Sequence, residues 1–276
     1  MRGWWREFAG LMLPVSCGGC GRPRTALCPP CAAELTGTGA RRVRPSPEPH
    51  GLPAVHAAAP YEGGVRALLL AHKERGALPL ARPLGDALAT AVEAATRPLR
   101  AAGDPPLLLV PVPSSRRSVR ARGHDPTRRI ALAAAGRLRR SGRAARVLPV
   151  LRQCRPVSDQ AGLGARGRLA NLAGALEVSR GGLRLLDEAA RAGGRVVLVD
   201  DLMTTGASLA EAARALATAR HSVHRPYIPG LPDSPEGETA EGLFERPVAA
   251  VVASSPTSFE INRNSRRSCI VAGGER

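Results

Sequence analysis

A mixed α/β domain with a mostly parallel sheet flanked by helices, carrying a small cysteine-rich module at its N-terminal end, is predicted by three features of the 276-residue sequence. First, Val196 to Val199 and Leu107 to Val110 are short, uninterrupted apolar runs. Strands covered on both faces read this way, whereas half-exposed strands alternate. Second, helical periodicity lies between such runs, as in Leu80 to Arg97, where Leu84, Leu88, Ala91 and Ala95 share one stripe. Third, Cys17, Cys20, Cys28 and Cys31 form two Cys-x-x-Cys pairs upstream of all these elements.

Taken in order, Trp4, Trp5, Phe8, Leu11 and Leu13 recur at roughly helical spacing and predict a short amphipathic helix. In the cysteine module, each pair can chelate one side of a tetrahedral Zn²⁺, and Gly18 and Gly19 permit the tight turn that aims both sulfurs at one metal. Four thiolates leave no open position for catalysis, so the predicted zinc is structural. Thr36 to Pro53 is rich in Gly, Pro, Arg and Ser and reads as a linker.

The main domain is expected to begin near Ala54, with a strand over Val55 to Pro60 and a helix from Val65 to His72 that ends at Lys73. Two prolines stop the strand at Leu107 to Pro113. Arg116, Arg117, Arg120 and Arg122 follow, a cluster suited to pyrophosphate or a nucleic-acid backbone, or else a solvated basic loop. His124, a lone His after Gly, reads as a surface residue ahead of a catalytic or ligand role. A helix is expected over Ile130 to Arg140 and a strand over Val147 to Leu151, and Cys154 reads as a small buried residue. The polar stretch from Arg155 to Asn171 is long for a passive connection. After a helix packed through Leu209, Ala213 and Leu216, residues 221–246 read as an inserted or disordered loop, and Val248 to Ala253 as a last strand. The predicted units are 1–36 (helix and cysteine module), 37–53 (linker), 54–264 (main domain) and 265–276 (polar tail).

Composition bounds the partners. At 28.8 kDa the chain suits one medium domain plus an appendage. With aromatics at 3%, Leu, Val and Ala must supply the core. A formal charge of +17 favours polyanions, although Lys73 is the sole lysine and an Arg-, Ala-, Gly- and Pro-rich chain also fits codon bias. No apolar run reaches the roughly 18 residues of a membrane span, and Arg6 and Glu7 interrupt the only stretch resembling a signal peptide. A cytoplasmic location follows as the expectation, with membrane association only through partners and with the cysteines as ligands or free thiols.

The segment Arg195 to Ser208 carries the chemistry. Asp200 and Asp201 fall where the apolar strand is expected to end, and Thr204, Thr205, Gly206, Ala207 and Ser208 form the turn into the next helix. Unpaired amides at a helix N-terminus and its dipole favour an anion, and Gly lets the backbone close around a phosphate. The acidic pair would repel bare phosphate. A ligand joining a phosphate to a sugar diol, or to Mg²⁺, satisfies both halves.

This segment resembles the signature of type I phosphoribosyltransferases, which bind phosphoribosyl pyrophosphate. The resemblance implies that Asp200 and Asp201 contact the ribose hydroxyls while Thr204 to Ser208 cradle the 5-phosphate. The order of motifs along most of the chain resembles the ComF competence-protein family more closely still: an N-terminal helix, the four cysteines, Pro111-Val-Pro113, Arg120-x-Arg-Gly123, Gln160 with Arg168 and Asn171, then Asp-Asp-x-x-Thr-Thr-Gly. It implies a phosphoribosyltransferase-like sheet joined to a zinc ribbon, in a family linked to uptake of single-stranded DNA beside a helicase-like ATPase. Two departures stand out: His124-Asp125 replaces the aromatic and Asn of many relatives, and residues 221–246 interrupt a direct helix-to-strand passage.

Two classes of function follow. As an enzyme, the protein would transfer phosphoribose with Mg²⁺ and pyrophosphate as partners, in a competence role or in nucleobase salvage, with Lys73, Arg120 and Arg122 as candidates for the pyrophosphate side. As a non-catalytic module, the same pocket would be sensory or vestigial, while the zinc module and basic face hold nucleic acid or protein.

Overall fold

The computed structural model describes residues 16–37, 39–98, 104–157, 164–223 and 247–259. The helix expected at residues 4–13, Gln160, most of the 221–246 segment and the 265–276 tail lie outside the described residues. After the cysteine knuckles come α1 (Pro29–Thr36), β1 (Arg41–Val43), β2 (Val55–Pro60), α2 (Gly63–Glu74) and a 3-10 turn (Leu78–Leu80). Then follow α3 (Ala81–Thr96), β3 (Leu107–Pro111), α4 (Arg116–Arg122), α5 (Pro126–Arg140), β4 (Ala145–Val147) and β5 (Leu151–Gln153). The remaining elements are α6 (Ala165–Leu172), β6 (Leu176–Val178), α7 (Arg180–Arg191), β7 (Arg195–Met203), α8 (Ala207–Val223) and β8 (Val248–Ser254).

Six strands form one sheet in the order β1-β2-β8-β7-β3-β4, and every neighbouring pair is parallel except β1–β2. The predicted α/β class is therefore the one found. Helices cover both faces. On one side Leu68 of α2, Leu84 and Leu88 of α3 and Ile130 of α5 pack with Leu107, Leu109, Val197 and Val199. On the other side Leu186 of α7 and Leu209 and Leu216 of α8 pack with Leu108, Val110, Val196 and Leu198. Consecutive residues of β3 and β7 thus enter opposite cores, which is why these strands are apolar without alternation. Each such leucine is worth roughly 1.5–3 kcal/mol. The cores close tightly with small residues: a Cβ on Gly85 would lie 2.4 Å from the Ala133 methyl where α3 crosses α5.

Several expectations change. Residues 37–53 are more than a linker, because Arg41–Val43 pairs antiparallel with β2 and extends the sheet; three residues are too few to show periodicity. The strand expected over 147–151 is two strands in two sheets, with β4 beside β3 and β5 paired to β6. The basic segment after Pro113 is a helix rather than a loop. Ser115 caps it by accepting from the Ser118 amide at 3.1 Å, and Gly123, at φ +74°, ends it. Asp125 then caps α5 by accepting from the Arg128 amide at 3.1 Å, with Pro126 in the first turn. Helix α8 runs on to Val223, past the expected break at His221. Cys154 is exposed rather than buried, its thiol donating to the Gly174 carbonyl at 3.1 Å.

Candidate functional sites

The cysteine cluster is local in sequence and complete. The four sulfurs lie within 4.8 Å of one another, with Cys17–Cys28 at 3.6 Å and Cys20–Cys28 at 3.4 Å. Tetrahedral zinc with bonds of about 2.3 Å places its sulfurs about 3.8 Å apart, so the donor set fits that ion. The turn is built for it: Gly21 adopts φ +79° and its amide donates to the Cys17 carbonyl at 2.9 Å. A Cβ on Gly19 would come within 2.6 Å of the Cys31 sulfur.

Burial pushes the Cys17 thiol up, but hydrogen bonds from the backbone of Cys20, Cys28 and Gly19 outweigh it and bring it down to about 6. Cys31 is pushed up, by burial first and then by its three sulfur neighbours. A dication among them would invert that order. The module does not hang from the domain. Cys17, Cys28, Cys31 and Leu35 share one core with Leu68, Leu80 and Leu84. Glu34 accepts from the Gly64 amide at 2.8 Å, satisfying an open donor at the start of α2.

The second site lies at the carboxyl edge of the sheet. The α5 helix after β3 covers one face and the α8 helix after β7 covers the other, so the chain diverges between these neighbouring central strands. A crevice opens at such a switch point. Asp200 and Asp201 stand there, inside β7 rather than beyond it, because the strand continues to Met203. Both are buried, at 9% and 5% exposure.

Strict alternation would turn the two carboxylates to opposite faces, yet one helical layer reaches both. The strand slips in phase at this point. Val197 and Val199 face the α3/α5 core, and so does Leu202, three residues on, while Met203 faces the other core. Neighbouring strands slip at the same level, with Ala58 and Ala59 of β2 and Val252 and Ala253 of β8 entering one core in succession. As a result Lys73, near the end of α2, donates to Asp201 at 3.0 Å, and Thr127, at the start of α5, donates to Asp200 at 3.4 Å. Asp200 also accepts from the Asp201 amide at 2.8 Å.

The electrostatics follow from burial. Asp200 is raised well above the usual carboxylate value, by desolvation first and by Asp201 second, against the pull of Lys73. Lys73 is raised, chiefly by Asp201.

Beyond Met203, residues Thr204 to Ser208 turn into α8 and line a shallow pocket with Asp200 and Leu202. Gly206 is required there. Its φ is +77°, and a Cβ would meet the Leu52 methyls at 3.0 Å, so the segment read as a linker walls the turn. Thr204 is exposed, Thr205 and Ser208 half-buried, and Gly206 and Ala207 buried.

The other predicted cations are placed differently. Arg122 forms a two-pronged pair with Glu74, at 3.1 and 2.9 Å, and Arg120 is exposed on α4. His124 packs edge-on to buried His72, ring centres 5.7 Å apart, behind Lys73. Sequence reasoning gave no role to Thr127 or Glu34, and knew Arg168 only through a resemblance. Asp125-Pro126 is a helix-start signature that could have placed Thr127 at the site. The partner of Glu34 is 30 residues away and left no signal. Comparison of the chain with models of known protein families and with curated proteins finds no match.

Proposed function

We propose that the protein binds phosphoribosyl pyrophosphate with Mg²⁺ at the carboxyl end of β7 and is a phosphoribosyltransferase-family protein of ComF type, with a role linked to DNA uptake. The observation that carries this reading is the pairing, at one switch point, of two buried carboxylates with an anion-binding turn at the head of a 17-residue helix. Asp200 and Asp201 are the oxygen donors for the ribose hydroxyls or the metal, and the amides and hydroxyls of Thr204 to Ser208 receive the 5-phosphate. Lys73 can serve the pyrophosphate side only after releasing Asp201, a release that ligand hydroxyls or Mg²⁺ at the carboxylates would promote.

A non-catalytic role is the second reading. It is favoured by the internal pairing of two candidate pyrophosphate cations, Lys73 with Asp201 and Arg122 with Glu74. Exposed Arg117, Arg120, Arg128 and Arg129 on α4 and α5 then offer a surface to single-stranded DNA. Titration calorimetry with phosphoribosyl pyrophosphate and Mg²⁺ tests the pocket, and mixing a nucleobase panel with it while assaying pyrophosphate release tests turnover. Binding without release selects the second reading.

A further inference from the structure

The anion turn is met from outside by a helix of its own. Arg168 sits on α6, and its Nη1 donates to the Thr204 hydroxyl at 3.2 Å, at the mouth of the turn. The Nε of the same guanidinium is buried and has no hydrogen-bond partner among the described residues. A buried N–H left unmade is costly, so this donor calls for an acceptor. Lys73 and Arg122 are engaged by Asp201 and Glu74, whereas Arg168 touches the turn itself.

We infer that Arg168 is a binding residue for the phosphomonoester held in the Thr204–Ser208 turn, closing it opposite the amides of α8. This rests on the phosphoribosyl reading of that site. Guanidinium presents several N–H donors in a planar array that matches phosphate oxygens. Nη1 is held on Thr204, and the unpaired Nε belongs to the side-on Nε–Nη2 fork, the one by which Arg122 grips Glu74. That edge is the one assigned to the phosphate. The contact with Thr204 adds a second effect. Because the Thr204 oxygen accepts from Arg168, its own proton is left to donate, so the hydroxyl is turned into a donor for the same phosphate. The assigned ligand end is the monoester rather than the diphosphate, since the contact is to the first residue of the phosphate turn.

The test is calorimetry of ribose 5-phosphate, and of phosphoribosyl pyrophosphate with Mg²⁺, against the native protein, Arg168→Ala and Arg168→Lys. The loss of charged hydrogen bonds predicts about 10- to 100-fold weaker binding of both ligands by Arg168→Ala. Arg168→Lys, which keeps the charge but not the fork, should recover only part of it, with thermal unfolding of the free protein not lowered in either variant, since each removes the unpaired Nε donor. Native-like affinity of Arg168→Ala for ribose 5-phosphate overturns the assignment, and a loss confined to phosphoribosyl pyrophosphate moves the guanidinium to the diphosphate end and overturns it too. If the native protein binds neither ligand, the phosphoribosyl reading fails along with this inference. Native-like binding by the variants overturns the assignment of Arg168 alone and leaves that reading standing.

Discussion

The cysteine cluster and the carboxylate edge are assembled in opposite ways. The cluster takes all its ligands from Cys17 to Cys31, a short piece of chain closed by its own turns. The edge gathers Lys73 from α2, Thr127 from α5, Arg168 from α6 and Asp200 to Ser208 from β7 and its turn. A local site needs little from the fold and reports itself in sequence. A dispersed site depends on the fold for its geometry, and its supporting residues carry no spacing that could announce them. The two meet through α2, whose first turn is held by Glu34 of the cysteine module and whose last turn holds Asp201 through Lys73.

The largest expected effect comes from breaking the local site. Holding zinc at about 1,000 times its dissociation constant stabilises a fold by about 4 kcal/mol, and 1 kcal/mol moves Tm by about 2–4 °C at this size. Chelation, or Cys28→Ser, should therefore lower Tm by roughly 8–16 °C in scanning calorimetry. Since Cys28 shares a core with Leu84, the main transition itself should move rather than a small early one.

Next is the brace behind the pocket. Glu211, on α8, accepts from the Leu176 amide at 2.9 Å and from Arg214 at 2.7 Å. Burial alone would raise this carboxyl, but Arg214 and the amides of Leu176 and Gly174 outweigh it and hold it below its usual value. The stability it contributes is present above the unfolded pKa and is lost as pH falls through the lower folded value, below about 4.5. Glu211→Ala leaves a buried amide unmade and should cost about 1–3 kcal/mol in urea unfolding at pH 7, with the difference shrinking in acid.

Asp200→Asn should act in the other direction. A raised carboxyl means that the folded state holds a proton the unfolded chain gives up, so stability falls as pH climbs from the usual 3.8 towards the folded value. Asparagine removes that deficit while its amide oxygen can still accept from Asp201 and Thr127. At pH 7 the variant should melt higher than the native protein and converge with it below about pH 3.8. Its affinity for phosphoribosyl pyrophosphate should be lost.

The smallest effect sharpens the link between the two regions. Glu34→Ala removes one exposed hydrogen bond and should cost about 0.5–1.5 kcal/mol in Tm-derived stability. It should also weaken ligand binding slightly, whereas a control such as Glu48→Ala, in an exposed pair with Arg44, should not.

Much of the fold was legible because its central strands are buried twice over. Val196 to Val199 and Leu107 to Val110 could be read without alternation, and the helices on them kept a clear stripe. The turn from Thr204 to Ser208 was legible for a local reason, since Gly206, at φ +77°, marks where the backbone must turn into the next helix. What escaped was short or non-local. β1, β5 and β6 have three residues each and lack a period to detect. The helical state of Arg116–Arg122 was hidden by its arginines, although Ser115 and Gly123 marked its ends. The position of Asp200 and Asp201 within the strand escaped because a carboxylate normally ends an apolar run. Here the phase slip and the donors of Lys73 and Thr127 let two acids stay buried.

The central claim is that the Asp200–Asp201 pair and the Thr204–Ser208 turn form one ligand site. Titration of the zinc-loaded protein with phosphoribosyl pyrophosphate and Mg²⁺, beside Asp200→Asn/Asp201→Asn, tests it directly. Saturable one-to-one binding by the native protein that vanishes in the double variant is the predicted result. Absence of heat with the native protein, or equal binding by the double variant, would contradict it.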